Sequence, residues 1–564
     1  MSVAPLLKDL KSSVRLYELT ELVVKLSSYN RIQGSSELIK ASDFIRASLE
    51  ESSKDVSIEV FNYANPPKWL SPLVGWDLID GEALITYPEK TVLSSVKKAF
   101  TAVAAHSPSG EFSGRVSYAE SEALIPDDVE VLLTSNKSLD MYFSAVKKGA
   151  KAILIYRQDA HPKGIPYVGF FPTPDEAYRM KAPILCIPRS SAEKIKTLLN
   201  KGVKVIVEGF VKSVYSDPRE LRVVTAEFGD SEKEVHITAH YCHPKGTIND
   251  NVSGAATSLY VAKLLSKHIN KTTYNLQKVK IRFVWIPEHY GSVALVKKLI
   301  EENIMILGAL NLDMIGEKQN LTNSILNFIR PPVLLLSSFE AHAFKHFFRS
   351  LSSGWGLFTS SIRKMPLRFE LKPYEAGSDH DSYVVFGIPA VSLTNWPDKF
   401  YHTNLDSIDK FSPTNALGIT ITALRAALTF EPSDSLTDHY VSFTKNLEYF
   451  NLPTPLYSIR QALYERVGVC KITRELTELV GYPSINYLLR KIKDPELIKD
   501  IKKFISKKSQ ASTAYIVASL YASCGIKPND LRKFLAAELG LKIEEKDFNT
   551  ILKSIELLRN TFSQ

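Results

Sequence analysis

Between about residues 217 and 412, short apolar runs alternate with segments of helix length. The runs are "LRVVTAEFG", "EVHITAH", "VKIRFVWIP", "ILGALNLDMIG" and "GIPAVSL". They are near-continuously hydrophobic, which suits strands buried on both faces. Chains of this pattern fold as a parallel or mixed sheet with helices on both sides, so an α/β class is expected. The ends of the runs are polar. "VHITAH" ends in His240, "IRFVWIP" leads into Glu288 and His289, and "LGALNLD" ends in Asp313. "GIPAVSL" is followed after a short loop by "KFYHTNLD", with His402. Open α/β sheets bind ligands beyond the carboxyl ends of their strands. Four such ends delivering these side chains to one edge predict a converging pocket.

The flanks read differently. Residues 5 to 50 carry apolar positions at helical spacing, and "DVSIEVFNY" alternates like a strand. From about Asn65 the texture turns to Pro, Gly and aromatic residues. Here "AVKKGAKAILIY" and "APILCIPRSSAEKIKTLLNKGVKVIVEG" read as helix-strand and strand-helix-strand units. Beyond about Ser412 strand signals fade, and helical segments such as "PELIKDIKKFISKK" and "STAYIVASLYASCG" follow. With 564 residues the chain exceeds what one core organises. Four units are expected: 1–74 as the first part of the main domain, 75–215 as an α/β insertion, 216–430 as the main sheet domain, and 431–564 as a helical domain. Two helices in the last unit fit a helix-turn-helix spacing, but amphipathic helices more often simply pack.

A hydrophobic content of 45% and a charged content of 23% are those of a folded globular protein. The net charge of +9 is modest for this length and lacks a dense Lys/Arg stripe, so no nucleic-acid partner is expected. The four cysteines, Cys186, Cys242, Cys470 and Cys524, form no CxxC pair. That argues against a disulfide framework or a cysteine-rich zinc module and suits a reducing compartment. The first residues lack an unbroken apolar run, and no stretch of about 18 apolar residues occurs. A cytoplasmic location without membrane contact is the expectation.

Imidazoles together with carboxylates, and no thiolate set, suit zinc or another divalent transition metal in an open catalytic site. Asp250, in "NDNVSG", is expected to open a helix, where the dipole favours a carboxylate that can bridge two ions. Glu288 is the natural general base. Cys242 reads as a nucleophile, a ligand or a packed residue, and His236 as a core histidine. Tyr401 is placed to donate to an oxyanion.

"ITAHY", "INDNVSGAA", "FVWIPEHYGS", "LNLDMIG", "GSDHDSYVVFGIPAVSL" and "YHTNLDSIDKF", in this order, resemble the co-catalytic zinc aminopeptidases. These form metallopeptidase family 28, which also includes glutamate carboxypeptidase. The resemblance covers roughly residues 20–65 and 217–412, and the insertion resembles a protease-associated domain, usually a lid or docking module. It implies that His240, Asp250 and Asp313 hold one zinc, and that Asp250, His289 and His402 hold a second. It further implies Glu288 as base, with Asp379 and His380 shaping the pocket. Two positions depart from the family: Cys242 stands where an aspartate usually orients the first histidine, and His289 where a glutamate is usual. "CHP" resembles a branch of the family in which His243 replaces or supplements His240. The expectation is a metal-dependent exopeptidase with one or two zinc ions, an aminopeptidase acting on peptides and often oligomeric in this family. The alternative is a non-catalytic binding protein on a degenerate peptidase scaffold, motivated by Cys242 and His289.

Overall fold

The computed structural model describes residues 3–50, 55–67, 70–269, 278–352, 367–431, 492–507, 510–539 and 543–562. Its main sheet has eight strands. In spatial order these are Val56–Asn62, Glu220–Phe228, Lys280–Ile286, Lys233–His240, Met305–Asp313, Ala390–Trp396, Ile325–Ile329 and Phe369–Lys372. The four central strands, those ending at Ile286, His240, Asp313 and Trp396, run parallel to their neighbours within the group. Their carboxyl ends therefore share one edge. The sheet is mixed because antiparallel pairs flank this group on both sides.

Helices cover both faces, as the buried apolar runs require. Ser36–Glu50, Gly254–Ile269 and Pro413–Thr429 pack on one face. Tyr290–Glu301, His380–Val385 and the C-terminal helices pack on the other. Gly254 shows why the helix after the His240 strand begins where it does. A Cβ there would stand 2.2 Å from the Leu312 carbonyl oxygen, so only glycine lets the helix start against the neighbouring strand. Asp250 lies ahead of that helix. Its backbone and that of Asn251 are non-helical, which corrects the expectation that Asp250 opens the helix itself.

Residues 75–216 form a separate seven-stranded sheet with its own core. The helical segments foreseen near the C-terminus are present as Pro495–Lys507, Ala511–Ser523, Pro528–Leu539 and Glu545–Phe562. Of the expected helical unit 431–564, residues 432–491 lie outside the described residues. Cys524 is disulfide-bonded, which amends the reading of the cysteines as thiols without pairing. No helix among the described residues is long and apolar enough to cross a membrane.

One buried polar cluster braces the sheet. The Arg282 guanidinium donates to both oxygens of Glu234, at 2.7 and 2.8 Å. His236 bridges Glu234 and the Tyr383 hydroxyl, each at 3.0 Å, which gives this histidine a purely internal role. Burial pushes the Glu234 carboxyl upward, but the bonds from His236 and Arg282 overcome it and hold the pKa well below 4.5. A depressed folded-state pKa contributes stability above the unfolded value and loses it as pH falls, so this contribution fades below about pH 5. Glu234→Gln is expected to cost about 3 kcal/mol in denaturant unfolding at pH 7, because it breaks a buried ion pair. The cost should shrink as the pH is lowered toward 4.

Candidate metal centre

The edge where the central strands end gathers three histidines around one carboxylate. Asp250 is buried, and its two oxygens have different partners. Oδ1 lies 3.4 Å from His240 Nε2, which is itself 3.3 Å from Asp313 Oδ1. Oδ2 lies 2.9 Å from His402 Nε2 and 3.4 Å from His243 Nε2. Among the described residues the ligand atoms form three groups with metal-binding proximity: His240–Asp250–Asp313, His243–Asp250–His402, and His240–Cys242–His243–Glu288. Asp250 belongs to the first two.

The local supports explain the placement. His240 ends its strand, and the Tyr241 N–H donates to the Ile286 carbonyl of the adjacent strand, fixing where the chain turns away. His243 is held by a buried arginine that sequence reasoning missed. Arg31 pairs its backbone with that of His243 while its side chain donates to the carbonyls of Tyr241, Leu26 and Tyr29. Asp406 was also missed as an individual residue. Its carboxylate accepts the backbone N–H groups of Asn249 and Asp250, at 2.8 and 3.1 Å. Arg31 lies in the 20–65 stretch of the resemblance and Asp406 in "YHTNLDSIDKF", yet a lone Arg or Asp carries no spacing signal. His402 is stacked on the Tyr401 ring at 3.8 Å, and Tyr167 from the 75–216 sheet region sets its ring edge-on to His243 and His402.

His289 stands apart from all three donor groups. Its N–H donates to Asp379 Oδ1 at 2.8 Å, and its Nε2 lies 3.8 Å from Glu288 Oε1. The place that the resemblance gives to His289, beside Asp250 and His402, is taken by His243. Backbone geometry accounts for this: His243 (φ 110°) and His289 (φ 59°) both adopt left-handed conformations that redirect their side chains. Met314 and His402 share this uncommon φ, so strained residues cluster at the site. His380 lines the cavity, with its Nε2 2.9 Å from the Glu375 carbonyl.

Cys242 lies behind the two histidines. Its sulfur is 3.6 Å from His240 Nδ1 and 3.7 Å from His243 Nδ1, and it accepts the Glu288 N–H at 3.3 Å. The Gln33 amide holds the Glu288 carbonyl at 2.9 Å. Glu288 itself lines the cavity beside Asp250, Asp313 and Tyr401.

The electrostatics favour a cation. Burial works to lower the His240 pKa, yet Glu288, Asp313 and Cys242 raise it well above 6.5. Burial pushes Glu288 well above 4.5, reinforced by Asp379, Asp250 and Asp313 and opposed by His240. Burial likewise lifts Asp379 to about 6. Glu288, Asp379, Asp250 and Asp313, four carboxylates gathered out of water, repel one another, and added positive charge relieves that repulsion. Asp313 Oδ1 is buried with no hydrogen-bond partner, an acceptor left open on the side facing His240. Imidazole nitrogens and carboxylate oxygens are the donors zinc takes in open sites. The residues fit the ion.

Residues 223–427 match Peptidase family M28. The matched stretch takes in His240, His243, Asp250, Glu288, Asp313 and His402. A Clostridium acetobutylicum protein named for polysaccharide biosynthesis and an aminopeptidase-like domain is 40% identical over 65 residues, 12% of this chain and 13% of its own. A Pyrenophora tritici-repentis protein named as a zinc metalloprotease is 24% identical over 207 residues, 34% of this chain. The chain spans 42% of the length of that relative. Among solved structures, the Peptidase M28 precursor from Shewanella amazonensis superposes with a TM-score of 0.54 at 17% identity. That match covers 77% of this chain and 97% of the other, and shows a shared fold.

A zinc-bound imidazole relies on the partner of its second nitrogen for orientation. Cys242→Ala removes that partner from His240 and His243 together. Zinc affinity, measured by chelator competition, is expected to fall about 10- to 100-fold. An unchanged affinity would show that the sulfur only fills space.

Proposed function

We propose that the chain is a zinc-dependent exopeptidase, an aminopeptidase that removes residues from the N-termini of peptides. The observation that carries this reading is the placement of Glu288 beside the two donor groups that share Asp250, in one cavity. Zinc held by His240, Asp250 and Asp313, and by His243 and His402 with Asp250, would polarise the scissile carbonyl and acidify a water. Glu288 takes the proton of the attacking water and returns it to the leaving amine. Burial and the neighbouring carboxylates raise its proton affinity, which strengthens it as a base. Gln33 and Cys242 fix the backbone on either side of this carboxylate's peptide unit. Tyr401, on the cavity wall, is available to donate to the oxyanion.

Two features support an exopeptidase acting at an amino end. The cavity measures about 220 Å³, below the roughly 300–1,000 Å³ of pockets for drug-sized ligands, and suits one terminal residue. Apart from the residues assigned to zinc and to proton transfer, its wall carries the Glu375 carboxylate, which attracts an ammonium group and repels a carboxylate.

Glu288→Gln is expected to lower turnover of an aminoacyl amidocoumarin about 10²- to 10⁴-fold while zinc content stays at the native level. Acetylating the substrate's amine should abolish turnover by the native chain. Native-rate hydrolysis by the variant would remove Glu288 from the mechanism, and equal hydrolysis of the acetylated substrate would remove the aminopeptidase assignment.

A further inference from the structure

The C-terminal helices reach the cavity through two buried polar contacts. One wall of the cavity is the turn 375–378, just ahead of the helix His380–Val385. Most of this turn is tied down locally. The Gly377 N–H donates to Asp381 Oδ2 at 2.8 Å, and the Tyr374 hydroxyl donates to Asp381 Oδ1 at 2.6 Å. The Ala376 N–H is bound from outside, donating at 2.9 Å to the Thr513 hydroxyl of the helix Ala511–Ser523. Thr513 lies 137 positions further along the chain and is 2% exposed.

A second lining segment, at the end of the neighbouring strand, is held in a related manner. Ile329 lines the cavity, and the next residue, Arg330, donates to Glu538 Oε1 at 3.0 Å. Glu538 Oε2 accepts the Val333 N–H at 2.9 Å and the Tyr521 hydroxyl at 2.8 Å. Glu538 is 2% exposed and belongs to the helix Pro528–Leu539. Apolar packing alone would seat these helices on the sheet domain, since Tyr374, Val333, Val517 and Leu535 share one core. It would not require buried polar side chains bonded to the turn at Ala376 and to the residues that follow Ile329. Such groups are costly when unpaired, so they fix one geometry.

We propose that Thr513 and Glu538 are positioning residues, through which the C-terminal helices fix two adjacent cavity-lining segments and so the fit of the substrate's terminal residue. This builds on the aminopeptidase reading. Neither residue touches the donor groups or Glu288, so the effect falls on substrate binding and spares the proton-transfer chemistry.

The test uses the full-length, zinc-loaded chain with Thr513→Val, which keeps the side-chain shape and removes the acceptor, and Thr513→Ser, which restores it. Thr513→Val is expected to raise KM for an aminoacyl amidocoumarin about fivefold, as loss of one hydrogen bond allows. Its kcat should stay within about twofold, the signature of lost binding. Hydrogen exchange of the peptide spanning 374–378 should quicken in Thr513→Val, and Thr513→Ser should return both readouts to native values. Unchanged exchange over 374–378 in Thr513→Val overturns the proposal, as does an unchanged KM, or a kcat loss that merely follows a lower folded fraction. If the native chain hydrolyses no aminoacyl substrate, the aminopeptidase reading fails by itself, and the exchange comparison still decides whether Thr513 holds the turn.

Discussion

Asp250 is a buried carboxylate facing three imidazoles, and the rest of the centre is arranged around that fact. Burial alone would neutralise it, yet His243, His402 and His240 overcome burial and keep it ionised. A charge held in that way needs its backbone fixed, and Asp406 supplies two accepted N–H bonds directly at Asn249 and Asp250. Asp406 is itself lifted to about 7 by burial, eased by those same two bonds and aggravated by Asp398 and Asp250. The site therefore concentrates negative charge beyond what its own histidines balance. Such an arrangement is stable when cations complete it.

The parallel sheet makes this concentration affordable in conformational terms. Strand ends at His240, Ile286, Asp313 and Trp396 are set by hydrogen-bonded registers, so their side chains reach a common edge without long flexible loops. Of the eight non-glycine residues with positive φ among the described residues, four lie at the site: His243, His289, Met314 and His402. Each left-handed residue costs of order 1–3 kcal/mol and persists only where its surroundings hold it. For His243 the holder is Arg31; for His289 it is Asp379.

The sheet, its helical cover and the converging pocket were legible because buried strands and polar strand ends leave a periodic trace. Asp250, Asp313, His402, His240 and Glu288 are brought to one edge for that reason. The exchange of His243 for His289 beside Asp250 was not legible. It depends on two backbone torsions and on a contact between Arg31 and His243, more than 200 residues apart, and no local pattern records either. Cys242 was legible as a departure from the family pattern, but its contact with both imidazoles appears only once His240 and His243 fold onto the same side. The tie between Thr513 and the Ala376 turn belongs to the same class of long-range contact.

The central claim is that Asp250 is shared by two donor groups, with His243 in the second. Anomalous diffraction at the zinc edge from zinc-loaded crystals tests it most directly. Two peaks are predicted, one bounded by His240 and Asp313, the other by His243 and His402, each about 2.0–2.2 Å from an Asp250 oxygen. A single peak seated among His240, Cys242 and His243 and away from Asp250 would contradict the account.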